Sequence, residues 1–180
     1  MLKGCLETGE RETGRTAMDD RVKTVTIGAI EFCDRADAVL VAYSLGSCIA
    51  LTAYDPASKV GGMAHIMLPA CVGVPPAGEE GKYASTAVPA LIEGMLRRGA
   101  EKSRLVVKMA GGAAVLGAFG SSNGSAVGRR NQIAVLEAMD ALGIQVVASD
   151  CGGNFGRTVR FSIGDGVVEI VTAARGTWTI

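Results

Sequence analysis

The stretch Ser44-Leu45-Gly46-Ser47-Cys48, continued through Ile49 to Pro56 and then Gly61-Gly62-Met63-Ala64-His65-Ile66-Met67-Leu68-Pro69, decides how the chain is read. It holds the only histidine and one of five cysteines, seventeen residues apart (65 − 48). Two short apolar runs, 48–54 and 60–67, are separated by the turn signal Asp55-Pro56, the pattern of two adjacent strands. Neighbouring strands with a short connection bring residues near their ends together. A thiol beside an imidazole is the minimum equipment for a cysteine nucleophile with a general base. Gly46, just before the cysteine, permits backbone geometry closed to other residues.

Outward from this centre, the 180 residues suffice for one domain with a core that needs no disulfides. Hydrophobic residues make up 48% and aromatics 4%, so the core is aliphatic, and the mean hydropathy is +0.30. Lys+Arg and Asp+Glu balance at 18 each with no basic run, which gives nucleic-acid binding no support. No apolar stretch approaches the ~18 residues of a spanning helix. Glu7, Glu10, Arg11, Glu12 and Arg15 interrupt any signal-peptide core. A cytoplasmic protein with reduced thiols is expected. Cys5, Cys33, Cys48, Cys71 and Cys151 contain no CxxC pair, and a single histidine leaves too few ligands for a catalytic metal. No metal or organic cofactor is expected.

Residues 1–20 are polar and aperiodic and are expected to form a mobile tail ahead of a single domain at 21–180, with Met18 a second candidate start. Strands are expected at 22–27, 38–45, 49–54, 60–67, 105–109 and 144–148. A hairpin, 158–163 with 167–172, turns about Gly164-Asp165-Gly166. Apolar residues recur at helical spacing over 83–98 and 127–142. Pro89 fits the first helix if that helix begins near Ser85. The segment Pro69 to Gly78 is a loop by its composition. Many strands and two helices predict a mixed-sheet α/β (α+β) fold with helices on one side. Gly111-Gly112 lacks both phosphate-loop patterns and is read as a close-packing site. Asn131 and Asn154 are read as side chains that hold loops through backbone bonds.

As a set, the Leu-Gly-Ser-Cys and Gly-Gly-Met-Ala-His-Ile-Met-Leu-Pro motifs resemble the CheD family, the chemoreceptor glutamine deamidases of bacterial chemotaxis. The likeness continues in Gly81-Lys82-Tyr83-Ala84-Ser85-Thr86-Ala87, Ala110-Gly111-Gly112-Ala113, Gly128-Arg129-Arg130-Asn131 and Asp150-Cys151-Gly152-Gly153-Asn154, spanning about residues 22–172. The resemblance implies an α/β/β three-layer sandwich, Cys48 as nucleophile and His65 as its base. The substrate would be the cytoplasmic helices of chemoreceptors, and a CheC-type phosphatase would be a partner. Family members carry a threonine six residues before the cysteine, where this chain has Ala42. Ser44 shares strand parity with position 42 if the strand is regular, and is the candidate replacement; a main-chain carbonyl is the other. The departure at Ala42 leaves open a non-catalytic or weakly active module that binds CheC or receptors. A cysteine peptidase would use the same Cys/His pair.

Overall fold

A computed structural model describes residues 21–114 and 123–180, and the side chains from 127 onward in the second of these segments. The tail expected at 1–20 lies outside the described residues. In chain order the elements are β1 (Val22–Thr24), β2 (Ile30–Cys33), β3 (Val39–Leu45), β4 (Ile49–Asp55), β5 (Val60–Ile66), α1 (Ala84–Leu96), β6 (Val106–Gly111), α2 (Asn123–Ala141), β7 (Val146–Cys151), β8 (Arg157–Ser162), β9 (Val168–Thr172) and β10 (Gly176–Thr179).

The strands form two five-stranded sheets, β2-β5-β4-β6-β7 and β1-β3-β8-β9-β10. Both are mixed: β6–β7 and β1–β3 run parallel, and the remaining pairs run antiparallel. The first sheet is central. One face packs on α1 and α2 through Leu51, Ile66, Leu91, Met95, Val107 and Met139. The other packs on the second sheet through Ala50, Met63, Leu40, Leu45, Phe161 and Ile170. This is the expected α/β/β sandwich. Every residue of β4 and β5 is buried, so these strands are covered on both sides. In β8 and β9 buried residues alternate with half-exposed ones, as a sheet with one wet face requires.

Strands β2 and β10 went unread in the sequence. β2 (Ile-Glu-Phe-Cys) is short and half-buried, and β10 offers Trp178 as its sole large apolar residue. Helix α1 begins at Ala84 and continues through Pro89, which therefore sits in the helix interior, past the first turn. The regular parity assumed for β3 is also overturned. Its pairing with β8 shifts between Ala42 and Leu45, a bulge that leaves Tyr43 and Ser44 exposed between buried neighbours. Ser44 takes the left-handed φ of 55°, so the unusual backbone is there rather than at Gly46.

At the far end of the β4–β5 hairpin, the buried Asp55 carboxylate gathers the chain. It accepts bonds from the Arg104 guanidinium (2.7 and 3.0 Å) and from the N–H groups of Ala57 and Glu101 (both 2.9 Å). The Arg104 bonds, with help from the backbone donors, hold its pKa well below the usual carboxylate value of 3.8. A group with a depressed folded pKa adds stability above its unfolded pKa and loses it as pH falls below that value. Asp55→Asn should therefore destabilise the protein by about 2–4 kcal/mol at pH 7, and the difference from wild type should shrink by about pH 3. Urea unfolding of both proteins at the two pH values measures this.

Candidate functional site

Three connections cross between the sheets at one end of the sandwich; besides residues 152–156, from β7 to β8, two concern His65. Residues 25–29 carry the chain from β1 to β2, and residues 46–48 carry it from β3 to β4. His65, near the end of β5, lies between them. Its backbone N–H donates to the Ala29 carbonyl (3.0 Å) and its carbonyl accepts from Gly28 N–H (2.8 Å). Its ring Nδ1 lies 3.0 Å from the Val25 carbonyl. The first crossover thus grips His65 at three points. Because a carbonyl only accepts, Nδ1 carries the proton and Nε2 is the basic nitrogen.

The ring is 2% exposed, and Nε2 is buried without a hydrogen-bond partner among the described residues. Burial pushes the imidazole pKa below its ordinary 6.5, and the Val25 carbonyl opposes this in part. Cys48 enters from the other side. Ala50 sits directly opposite His65 across the β4–β5 ladder. Cys48, two residues earlier, packs on the same inter-sheet core as Ala50. That makes it the diagonal cross-strand neighbour of His65. The thiol is half-buried, and burial raises its pKa above 9.0. Both groups therefore rest neutral: a protonated thiol beside an unprotonated imidazole.

The crossover bearing Cys48 is fixed by its carbonyls. Gly46 O accepts from Ala113 N–H and Cys48 O from Gly112 N–H, both at 2.8 Å. Asn131, buried in α2, donates through Nδ2 to Ser47 O and Met67 O, each at 2.8 Å. Asn131 thus ties the Cys48 crossover to the residue after β5, the loop-holding role read from the sequence. Gly111 explains its own presence. A Cβ there would lie 2.1 Å from Cys48 O, and its φ is 123°. Gly128 of α2 faces Gly112 equally closely, with a Cβ position 2.4 Å from Gly112 O. The close-packing reading of Gly111-Gly112 is what the geometry gives. Among the described residues, no backbone acceptor takes the N–H groups of Ser47 or Cys48.

Ser44 is not brought to His65. The bulge turns it to the surface, into a pocket with Gly46, Arg157 and Thr172, and it makes no bond to the imidazole. Asn154 is exposed in its turn. Arg157 went unread in the sequence; its buried guanidinium binds the Asp150 carboxylate and carbonyl and reaches Gly152 O at 2.5 Å. Trp178 Nε1 donates to the other Asp150 oxygen (2.9 Å), and Gly152 N–H donates to Gly111 O (2.9 Å). This network braces the glycines behind Cys48. Cys151, beside it, is pushed up to about 11 by burial and rests as an inert thiol. Among the described residues no three His, Cys, Asp or Glu side chains gather as a metal site.

Fold and site together define an α/β/β sandwich with a neutral Cys/His pair on the inter-sheet face of its central hairpin. Comparison with known proteins gives this class a family. Residues 67–172 match the family model "CheD chemotactic sensory transduction". A protein of Symbiobacterium thermophilum is 42% identical over 159 residues, covering 88% of this chain and 96% of that one. One of Desulfitobacterium hafniense is 45% identical over 142 residues, covering 79% and 88%. Both are named "Probable chemoreceptor glutamine deamidase CheD". A hypothetical protein of Bacillus licheniformis, YfiH, shares 13% identity at a TM-score of 0.40 over 75% of this chain and 59% of its own, too distant to bear on function. The chain belongs to the CheD family.

Replacing Asn131 by Ala leaves two half-buried carbonyls without their donor, so it should cost about 1–3 kcal/mol in urea unfolding. Asn131→Asp should recover none of that loss, because a carboxylate cannot donate to either carbonyl.

Proposed function

We propose that the chain is a protein-glutamine deamidase that converts glutamine side chains of chemoreceptors to glutamate, with Cys48 as nucleophile and His65 as base. The observation that carries this reading is the buried Nε2 of His65: it is unprotonated, unpartnered and diagonal to the Cys48 thiol. Family membership and the printed names of the relatives supply the substrate class.

An amide is a weak electrophile, and a resting thiol is a weak nucleophile. As the sulfur attacks the side-chain carbonyl carbon, Nε2 takes the thiol proton. The N–H groups of Ser47 and Cys48 are the donors for the oxyanion. The imidazolium then protonates the amide nitrogen, the C–N bond breaks, and ammonia leaves a thioester on Cys48. His65 next deprotonates a water that attacks the thioester. Glutamate departs and the thiol is restored, so amide plus water has become carboxylate plus ammonia. Val25 O holds the ring in the tautomer that both steps need, and it stabilises the imidazolium that forms between them.

The Val25 carbonyl bears on the competing reading, a binding module without turnover. That reading rests on Ala42, but a main-chain acceptor for Nδ1 is present whatever residue stands at 42. The proposal includes a cytoplasmic location, where receptor signalling helices are accessible, and a CheC-type phosphatase as regulatory partner. Among the described residues no helix is long and apolar enough to cross a membrane.

Incubation with a receptor cytoplasmic fragment should release ammonia and give the intact-mass gain of amide-to-acid conversion, without chain cleavage. Cleavage would indicate a peptidase, and no change would favour the binding module. Cys48→Ala should abolish release. Ser44→Ala and Ala42→Thr should each stay within about threefold of wild type, where loss of an orienting group would cost about tenfold to a hundredfold. The rate should be flat across neutral pH. It should fall on the acid side only below 6.5, because burial lowers the His65 pKa, and any thiol titration should appear only above 9.0.

A further inference from the structure

Beside the first crossover lies an open cavity of about 440 Å³ lined by Thr24, Val25, Thr26, Ile27, Tyr43 and His65. Half of its lining, Val25, Thr26 and Ile27, comes from the first crossover. Tyr43 comes from the bulge that leads into the second, and His65 is the buried polar side chain among the lining residues. Two lining residues are large, apolar and unusually open: Ile27 is 59% exposed and Tyr43 49%. Single exposed apolar residues are ordinary, but two on one cavity that His65 also lines are not. The backbone geometry that exposes Tyr43 is itself a departure from a regular strand. The register shift beside it and the left-handed Ser44 turn outward a residue flanked by buried Ala42 and Leu45. Among the described residues Tyr43 has no ring partner or hydrogen bond that would account for its placement by internal packing.

We infer that Tyr43 and Ile27 are substrate-positioning residues, an apolar clamp that holds the aliphatic stem of the target glutamine while its carboxamide reaches the Cys48–His65 pair. This rests on the deamidase reading and adds how the substrate is held. A glutamine side chain is two methylenes ending in an amide, which matches apolar walls leading to a polar end. The clamp has no charged member, so it recognises a neutral side chain. It discriminates against the glutamate product, whose charge would be desolvated beside it, and so favours product release. Asparagine, one methylene shorter, would forfeit part of the contact.

The test uses the full chain and a receptor cytoplasmic fragment. Tyr43→Ala and Ile27→Ala should each raise KM about tenfold with kcat within about twofold, since both lose contacts made equally in ground and transition states. Tyr43→Phe, which keeps the ring, should restore the wild-type KM. A kcat loss at unchanged KM, or no change in either constant, would overturn the clamp. Binding is measured in parallel by titrating the fragment into Cys48→Ala and Cys48→Ala/Tyr43→Ala. About tenfold weaker binding in the double variant supports the clamp even if wild type releases no ammonia, a result that would sink the deamidase reading alone. Equal binding by the two overturns the clamp whether or not wild type turns over.

Discussion

The central sheet is covered on both faces, and most of the molecule's polar architecture follows from that constraint. With β4 and β5 wholly buried, any polar side chain on them needs a partner from within the fold. Thr52 donates to the Lys108 carbonyl of the next strand. Asp55 collects a guanidinium and backbone donors. His65 finds one acceptor, Val25 O, for one of its two ring nitrogens. In so apolar a strand the remaining nitrogen is the exception. An unsatisfied buried base is tolerated where chemistry uses it.

Holding that exception in place takes two crossovers with different jobs. The first spends its backbone groups on His65 and so fixes the ring from one side. The second has its carbonyls taken up by Gly112, Ala113 and Asn131, which leaves the N–H groups of Ser47 and Cys48 without backbone acceptors among the described residues. The glycines at 111, 112 and 128 let three backbones approach more closely than any side chain would allow. Behind them, Arg157, Asp150 and Trp178 tie the two sheets at the same end. Precision at the thiol therefore comes from main-chain bonds, with Asn131 as the principal side-chain contributor.

This division explains what could be read in the sequence. The β4–β5 hairpin, both helices and the β8–β9 hairpin announce themselves through apolar runs, helical spacing and glycine turns. Cys48 and His65 stand out because their spacing places one just ahead of β4 and the other on its partner β5. β2 and β10 were silent because half-buried edge strands carry little apolar pattern. Ser44 misled because parity counting assumes a regular strand, and a bulge erases parity without a compositional mark. The partner of Nδ1 was beyond reach for a different reason: any residue supplies a backbone carbonyl, so Val25 leaves no trace in side-chain chemistry. Arg157 likewise reads as an ordinary surface arginine until β8 turns it inward.

The neutral resting state of the pair has a chemical consequence of its own. A thiolate–imidazolium pair is primed before substrate arrives and reacts with many electrophiles. Here burial disfavours both charges at once, raising the thiol pKa and lowering the imidazole pKa. Proton transfer to Nε2 is then uphill until something stabilises the charges it creates. In the proposed mechanism the Ser47 and Cys48 N–H groups would do so only when a carbonyl oxygen lies against them, and Val25 O only for a ring about to become cationic. Charge separation is thereby tied to substrate occupancy. An enzyme of this kind would leave stray electrophiles largely alone and act when a carboxamide fills the site, which suits a deamidase of chemoreceptor glutamines.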